Sequence, residues 1–357
     1  MKRLSVILTA LFVLSVQGMY AQEEDEGLKI SGSVDTYYKY DFAGTGNIPT
    51  SFADEQNSIS IGMLDLLFEK TAGKASFVGE IAFGPRNAGS AGPASGTDVE
   101  VEGSESVFVS DFAPRIQNLY VSYALTEKLT VTGGYMGTFV GYEIISPTGN
   151  FNYSTSYLFT NGPFQNAGVK LDYAINDKLG VMVGVFNPWN TYSADPEVGP
   201  TSLGAQLYVS PVDGWDAYVN FVTGGESGTE IDLTTTFEVT EDLLIGVNAA
   251  SYSSTTLGAD SVASFTGAAL YLNYGLGDMA ALGLRAERFV SADGFGALNG
   301  LDGGVTALTL SGNLIAGDLT FIPEIRYDFA DTEAFLDSNG AATSSATQLV
   351  LAAVYAF

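Results

Sequence analysis

The chain has 357 residues, of which 41 are acidic and 14 basic, with no histidine and no cysteine. A net charge of −27 cannot neutralise phosphates, which excludes nucleic acid as a partner, and the missing residue types exclude disulfides, thiolate metal sites and histidine-based catalytic triads. Hydrophobic residues make up 46%, too many for a disordered chain, while charged residues reach 15%, well under the roughly 25% of an average soluble domain.

In chain order, Lys2 and Arg3 precede an apolar run, Leu4 to Val16, and Met19-Tyr20-Ala21 reads as a cleavage site. This is the pattern of a secretory signal peptide over residues 1–21, too short for the roughly 20 residues of a membrane helix. Its removal takes 21 residues and two positive charges, leaving 336 residues with a net charge of −29. Residues 22–27, with Glu23-Glu24-Asp25-Glu26, read as a solvated acidic leader in the periplasm. From Leu28 to Phe42 the even positions are mostly apolar (Leu28, Ile30, Val34, Tyr38, Tyr40, Phe42) and the odd ones mostly polar (Lys29, Ser31, Ser33, Asp35, Lys39, Asp41). A period of two over this length predicts a long strand with one greasy and one wet face.

Comparable segments follow at 57–70, 75–84, 114–125, 129–138, 165–175, 179–189, 201–210 and 215–224. The remaining ones are 230–239, 243–253, 262–275, 280–290, 304–315, 319–330 and 345–357. Tight turns such as Thr126-Glu127-Lys128-Leu129, Asn176-Asp177-Lys178-Leu179 and Gly317-Asp318-Leu319 alternate with longer Gly-, Ser-, Asn- and Pro-rich connections. The longer ones run over 43–56, 85–113, 139–164, 190–200, 225–229, 254–261, 291–303 and 331–344. Strict alternation of short and long connections is the signature of a bacterial outer-membrane barrel, closed because lipid cannot satisfy a free sheet edge. The fold class is therefore all-β: residues 28–357 form one transmembrane antiparallel up-and-down β-barrel, best counted at sixteen strands, with fourteen or eighteen as alternatives. A soluble sandwich, propeller or β-helix would carry more charge on its outer faces, and no fixed repeat supports the latter two.

The stretch from Gly134 to Tyr173 is the most distinctive. It contains Gly134-Tyr135-Met136-Gly137-Thr138-Phe139-Val140-Gly141-Tyr142-Glu143, then Tyr157-Leu158-Phe159-Thr160-Asn161-Gly162-Pro163-Phe164 and Gly168-Val169-Lys170-Leu171-Asp172-Tyr173. With the opening strand Ile30–Tyr38 and Ile116-Gln117-Asn118-Leu119-Tyr120, it resembles the OmpL-like β-barrel porin family of Gram-negative bacteria. The resemblance implies a pore for small solutes in the outer membrane and no defined substrate. It implies transport by analogy of fold.

If apolar positions face lipid, the alternate positions line the pore. These include Lys29, Asp35, Lys39, Asp41, Glu80, Lys170, Asp172, Asp216, Asp232, Glu238, Arg285, Glu287, Glu324, Arg326 and Asp328. Ten acids against five bases predict a weak cation preference, unless the charges pair with one another, as Arg326 between Glu324 and Asp328 suggests. The connection 139–164 carries seven aromatic residues. Either it folds into the barrel, placing Glu143, Asn150, Asn152 and Tyr153 at a constriction, or its rings extend the interfacial girdle. Phe357 closes a strand whose outer face also bears Tyr355, and a terminal aromatic of this kind resembles the signal read by the barrel-assembly machinery.

Nothing predicts a cofactor or a metal. Asp98, Glu100, Glu102 and Glu105 in the connection 85–113 fit a mobile surface loop better than a calcium site, and Asp293, Asn299 and Asp302 lack EF-hand spacing. No phosphate-binding loop or nucleophile elbow is present, so the sequence reads as a non-enzyme. The partners expected are outer-membrane lipid, the barrel-assembly machinery and small hydrophilic solutes; a homo-oligomer is compatible with the fold, but no interface is readable. A closed barrel that displays its loops for adhesion or for a secretion partner is the alternative function.

Overall fold

The computed structural model describes residues 27–88, 115–255 and 262–357. The expected signal peptide, the acidic leader up to Glu26 and the acidic part of the connection 85–113 lie outside them. The described residues form a closed antiparallel barrel of sixteen strands. In chain order these are β1 (Lys29–Asp41), β2 (Ser58–Ala72), β3 (Ala75–Phe83), β4 (Arg115–Ala124), β5 (Leu129–Gly137), β6 (Gln165–Asn176), β7 (Leu179–Phe186) and β8 (Ser202–Val209). They continue with β9 (Trp215–Gly224), β10 (Gly228–Glu238), β11 (Leu243–Ser253), β12 (Ser264–Gly275), β13 (Ala280–Ala292), β14 (Gly303–Ala316) and β15 (Leu319–Ala330). A two-stranded hairpin in the last long connection supplies β16 (Phe335–Leu336) and β17 (Ala342–Thr343), and β18 (Ser345–Ala356) closes the barrel against β1. Two short helices sit in long connections: α1 (Pro85–Ala88) and α2 (Tyr157–Asn161).

The register follows from the alternation of side chains. Val34, Val121, Leu171, Val183, Val219, Leu284, Leu310 and Leu351 are exposed on the outer wall, where lipid lies. Tyr123, Tyr173, Trp215, Phe237, Tyr274, Phe321, Tyr355 and Phe357 ring the end with the short turns, and Phe42, Tyr327 and Phe329 lie toward the other. Aromatic girdles at two heights flanking an aliphatic band match the two membrane interfaces. A slip of one residue would turn each strand inside out, so this pattern fixes the register.

The short turns form for local reasons. The Thr126 hydroxyl accepts the backbone N–H of Lys128 (3.2 Å) and Leu129 (3.0 Å), and Thr240 does the same for Asp242 (3.3 Å) and Leu243 (3.0 Å). Asn176 Oδ1 accepts the N–H of Lys178 at 2.9 Å. These side-chain caps hold the chain in a tight reversal. Three elements depart from the sequence expectation. β7 ends at Phe186, before Asn187-Pro188, because proline cannot donate to the ladder. The connection before β10 shrinks to a single helical turn, Gly225–Ser227. The connection 331–344 is ordered by its own hairpin.

Candidate functional site

The connection between β5 and β6 does not stay outside. It turns into the barrel, and its backbone and side chains meet the inner face of β7–β15, β18 and β1, Phe139 and Val140 packing against Met182, Phe186 and Val222. Four inward glycines make room. A Cβ on Gly283 would lie 2.2 Å from the Phe151 ring, and one on Gly246 would lie 2.2 Å from Tyr142 Oη. A Cβ on Gly204 would meet Phe139 at 2.6 Å, and one on Gly267 would meet Leu158 at 2.9 Å. Phe139, Tyr153, Tyr157, Leu158, Phe159 and Phe164 are all buried. The girdle reading of these rings is overturned: they pack inside the barrel, with Tyr157 against Phe289 (5.7 Å) and Tyr142 stacked on Tyr271 (4.2 Å).

The polar anchorage is dense. Arg285 Nη1 donates to Glu143 Oε1 and to the Ser154 carbonyl, both at 2.6 Å, and Arg285 Nη2 donates to the Thr155 carbonyl and to Thr309 Oγ1, each at 3.2 Å. Glu143 also accepts the N–H of Ser156 (2.7 Å) and the hydroxyl of Tyr271 (3.2 Å). On β13, Glu287 accepts the N–H groups of Tyr157 (2.9 Å) and Leu158 (2.8 Å), two donors that the first turn of α2 cannot pair internally. On β15, Glu324 accepts the N–H of Tyr153 (2.8 Å) and Ser154 (3.1 Å), and Arg326 donates to the Thr155 carbonyl at 2.7 Å. Asp328 accepts the Tyr157 hydroxyl at 2.8 Å, and Asn152 donates to Ser311 Oγ at 2.7 Å. Asp232 accepts the Gly141 N–H at 3.0 Å, while Asp35 accepts the Tyr153 hydroxyl and the Met63 N–H (2.8 Å). Arg285, Arg326 and Asp328 have no solvent exposure at all. In so dry an environment each charge must be paired or hydrogen-bonded, and these are.

The candidate residues therefore divide into two sets. Asp35, Asp232, Arg285, Glu287, Glu324, Arg326 and Asp328 come together around the inserted segment with Glu143, Asn152 and Tyr153. Lys39 and Asp41 are buried above them on β1, Asp41 accepting Asn47 Nδ2 at 3.2 Å. The mutual pairing expected of the β15 triplet holds for Arg326 and Asp328 (2.8 Å), whereas Glu324 instead binds the inserted backbone. Asn150 does not reach the wall: its amide bridges back to Ile144 within the same segment, at 3.0 and 2.6 Å. On the other wall, Lys170 pairs with Asp172 at 3.2 Å with about a fifth of each side chain exposed (18% and 21%), and Glu80 faces Asn118. Asp216 accepts the Tyr208 hydroxyl at 2.7 Å near the short-turn end, where Lys29 and Glu238 are exposed.

Sequence reasoning missed Arg86, in α1 at the start of a Gly- and Ser-rich connection that reads as surface. It is buried, donates to the carbonyls of Ile145 (3.1 Å) and Tyr153 (3.0 Å), and lies over the rings of Tyr153 (4.7 Å) and Phe52 (5.0 Å). The connection 43–56, which the sequence marks only as one of the longer connections, also reaches inward: its Thr50 hydroxyl accepts from Arg326 at 3.2 Å and its Ser51 carbonyl accepts from Thr155 at 2.7 Å. Asn47 and Asn299 tie three outer connections together: Asn299 Nδ2 donates to the carbonyls of Asn47 (3.0 Å) and Ala334 (2.9 Å). Asp302 accepts the N–H groups of Gly296 (2.8 Å) and Gly294 (2.7 Å), which hold its carboxyl below its ordinary range. Among the described residues no group of three or more carboxylates converges as a metal site would require.

Comparison with known proteins agrees with this geometry. A family model described as Putative beta-barrel porin-2, OmpL-like, matches residues 27–357. No curated protein sequence matches the chain. Among solved structures, the anion-selective porin of Comamonas acidovorans superposes with a TM-score of 0.59 at 12% identity, over 94% of this chain and 100% of that one. OprB of Pseudomonas putida gives 0.59 at 13% identity, over 93% and 94%. OmpT of Vibrio cholerae, in its trimer form, gives 0.55 at 12% identity, over 93% and 99%. At such identity the likeness speaks for the fold, and the family match for the kind of barrel. The chain belongs to the OmpL-like β-barrel porin family and is a porin-type barrel of the bacterial outer membrane.

Proposed function

We propose that the protein is a passive diffusion channel for small hydrophilic solutes and ions, with a weak preference for cations and no catalytic activity. The observation that carries this reading is the asymmetry of the lumen. The segment 138–164 starts against β7–β9 through Phe139 and Val140 and is fixed by buried charges to the wall of β10–β15, β18 and β1, whereas Lys170 and Asp172 on β6 keep part of their surface. The channel is then a passage along the β3–β6 side, narrowed by the inserted segment, with Glu143, Asn152 and Tyr153 in the body of that constriction.

The cation preference rests on the charges left over. Nine of the fifteen inward charges are buried around or above the inserted segment. Lys29, Glu80, Lys170, Asp172, Asp216 and Glu238 remain, four acids against two bases. Stepwise current in planar bilayers, with a reversal potential of cationic sign across a salt gradient, is the expected result, and liposome swelling with sugars, amino acids and oligopeptides ranks the solutes. The complete burial of Arg285 and Arg326 is the one feature that favours a closed barrel displaying its loops. A folded protein that gives no current would establish that second reading. For partners, lipid contacts the girdles, Tyr355 and Phe357 present the assembly signal to the barrel-assembly machinery, and a homo-oligomer parallels the trimer form of OmpT.

A further inference from the structure

β3 and β4 carry a register shift in the middle of their ladder, beside an inward carboxylate. Glu80 lies opposite Asn118, but the next residue, Ile81, lies opposite Ile116, so the register steps over Gln117. A bulge of this kind re-aims the side chains beside it. Here Gln117 turns inward and is buried, accepting from Gln165 Nε2 at 2.8 Å, and Asn118 turns inward beside it. The Oδ1 atom of Asn118 accepts the N–H of Gly137, the last residue of β5, at 2.8 Å. That contact fixes which way the amide faces. Its Nδ2 is thereby directed at Glu80 Oε2, to which it donates.

Glu80 is thus a carboxylate held in place by an amide that is itself held by the backbone. It lies on the inner face of β3, between the outward Phe77 and Ile81, and is half-buried rather than sealed. The inner carboxylates that meet the inserted segment are engaged by its N–H and hydroxyl groups or by arginine, and Asp172 is engaged by Lys170. The partner of Glu80 is a neutral amide, which leaves its charge uncompensated by that contact.

We infer that Glu80 is the residue that sets the charge selectivity of the channel, and that Asn118 is its positioning residue. The inference rests on the diffusion-channel reading and names the selective group within it. A fixed unit charge some 6 Å from a permeating ion, acting through water at ~0.1 M salt, changes the cation-to-anion ratio about threefold.

The test uses the full mature chain in planar bilayers. Glu80→Gln keeps an oxygen to accept from Asn118 and removes the charge, so the bulge and the barrel should persist, checked by an unchanged melting temperature in detergent. The cation-to-anion permeability ratio should fall about threefold relative to the native protein. Glu80→Asp, which keeps the charge, should retain most of the ratio, and Asn118→Leu should give an intermediate value by freeing the carboxylate. A Glu80→Gln protein that conducts with the native ratio overturns the inference and leaves Glu80 as a brace for the bulge. Native protein that gives no current overturns the channel reading instead, so the two failures are distinguishable.

Discussion

Replacing Arg285 with alanine tests the anchorage at its most buried point. The guanidinium has no exposure and donates to Glu143, to the carbonyls of Ser154 and Thr155, and to the hydroxyls of Ser154 and Thr309. Its loss strands the Glu143 carboxylate in the interior with only the Ser156 N–H and the Tyr271 hydroxyl as donors. Breaking one partner of a buried pair costs about 3–5 kcal/mol. At 1.4 kcal/mol per tenfold, the balance between the docked and undocked segment should move by roughly two to three orders of magnitude or more. The closed sheet itself loses no ladder hydrogen bond, so the barrel should still insert. The expected outcome is a larger mean conductance with flickering between levels in planar bilayers. The double variant Arg285→Met with Glu143→Met removes both charges, and apolar replacement of a buried pair is close to neutral, so it should return toward native current. An Arg285→Ala barrel that is folded and conducts with native amplitude and noise would refute the claim that this pair holds the segment.

Three further outcomes follow from other parts of the barrel. Gly283→Ala puts a methyl carbon into the Phe151 ring, and overpacking of this kind costs about 1–3 kcal/mol, so single-channel conductance should rise while heat stability of the barrel changes little. Asp302 has a carboxyl held low by the N–H groups of Gly296 and Gly294, so its brace on the 293–302 connection is complete above the ordinary carboxylate range and is lost as pH falls through the depressed value. Hydrogen exchange of those two amides should therefore accelerate only in strong acid, and Asp302→Asn should remove the pH step. Deleting Phe357 removes the backbone pairing with Gly32, N–H to carbonyl at 3.0 and 3.1 Å, along with the terminal ring, so the amount of barrel inserted in the outer membrane should drop; unchanged levels in a membrane fraction would dismiss the assembly role.

The strands were legible because lipid and water impose opposite demands on neighbouring side chains, and a period of two records both. Leu28 to Phe42 shows the rule at its clearest, and the turn threonines at 126 and 240 marked their reversals by the same chemistry that holds them. The inserted segment was half legible. Seven rings in a connection are too many for solvent, yet their density is equally consistent with a girdle. What decides between the two is the set of recesses at Gly204, Gly246, Gly267 and Gly283, and a glycine leaves no side chain in the sequence to announce what it receives. Arg86 was hidden for a related reason. Its value depends on Tyr153 and Phe52, each more than thirty residues away, and only the closed barrel brings the three together. The triplet Glu324-Arg326-Asp328 looked self-sufficient because its members are adjacent on one face. Glu324 departed from that pattern because unpaired backbone N–H groups in a dry interior are stronger claimants than a neighbour already engaged by Asp328.

The seam between β1 and β18 carries a topological consequence. Val34 lies opposite Tyr355 and Ser33 opposite Ala356, so the start of β1 and the end of β18 are side by side at the same mouth. No stave of the cylinder is privileged: a short tether joining the ends, with new ends cut in any of the tight turns, describes the same object threaded in a different order. The closed sheet is thus indifferent to which stave comes first, while its closure is not, since the final stave must arrive before the first can be sealed.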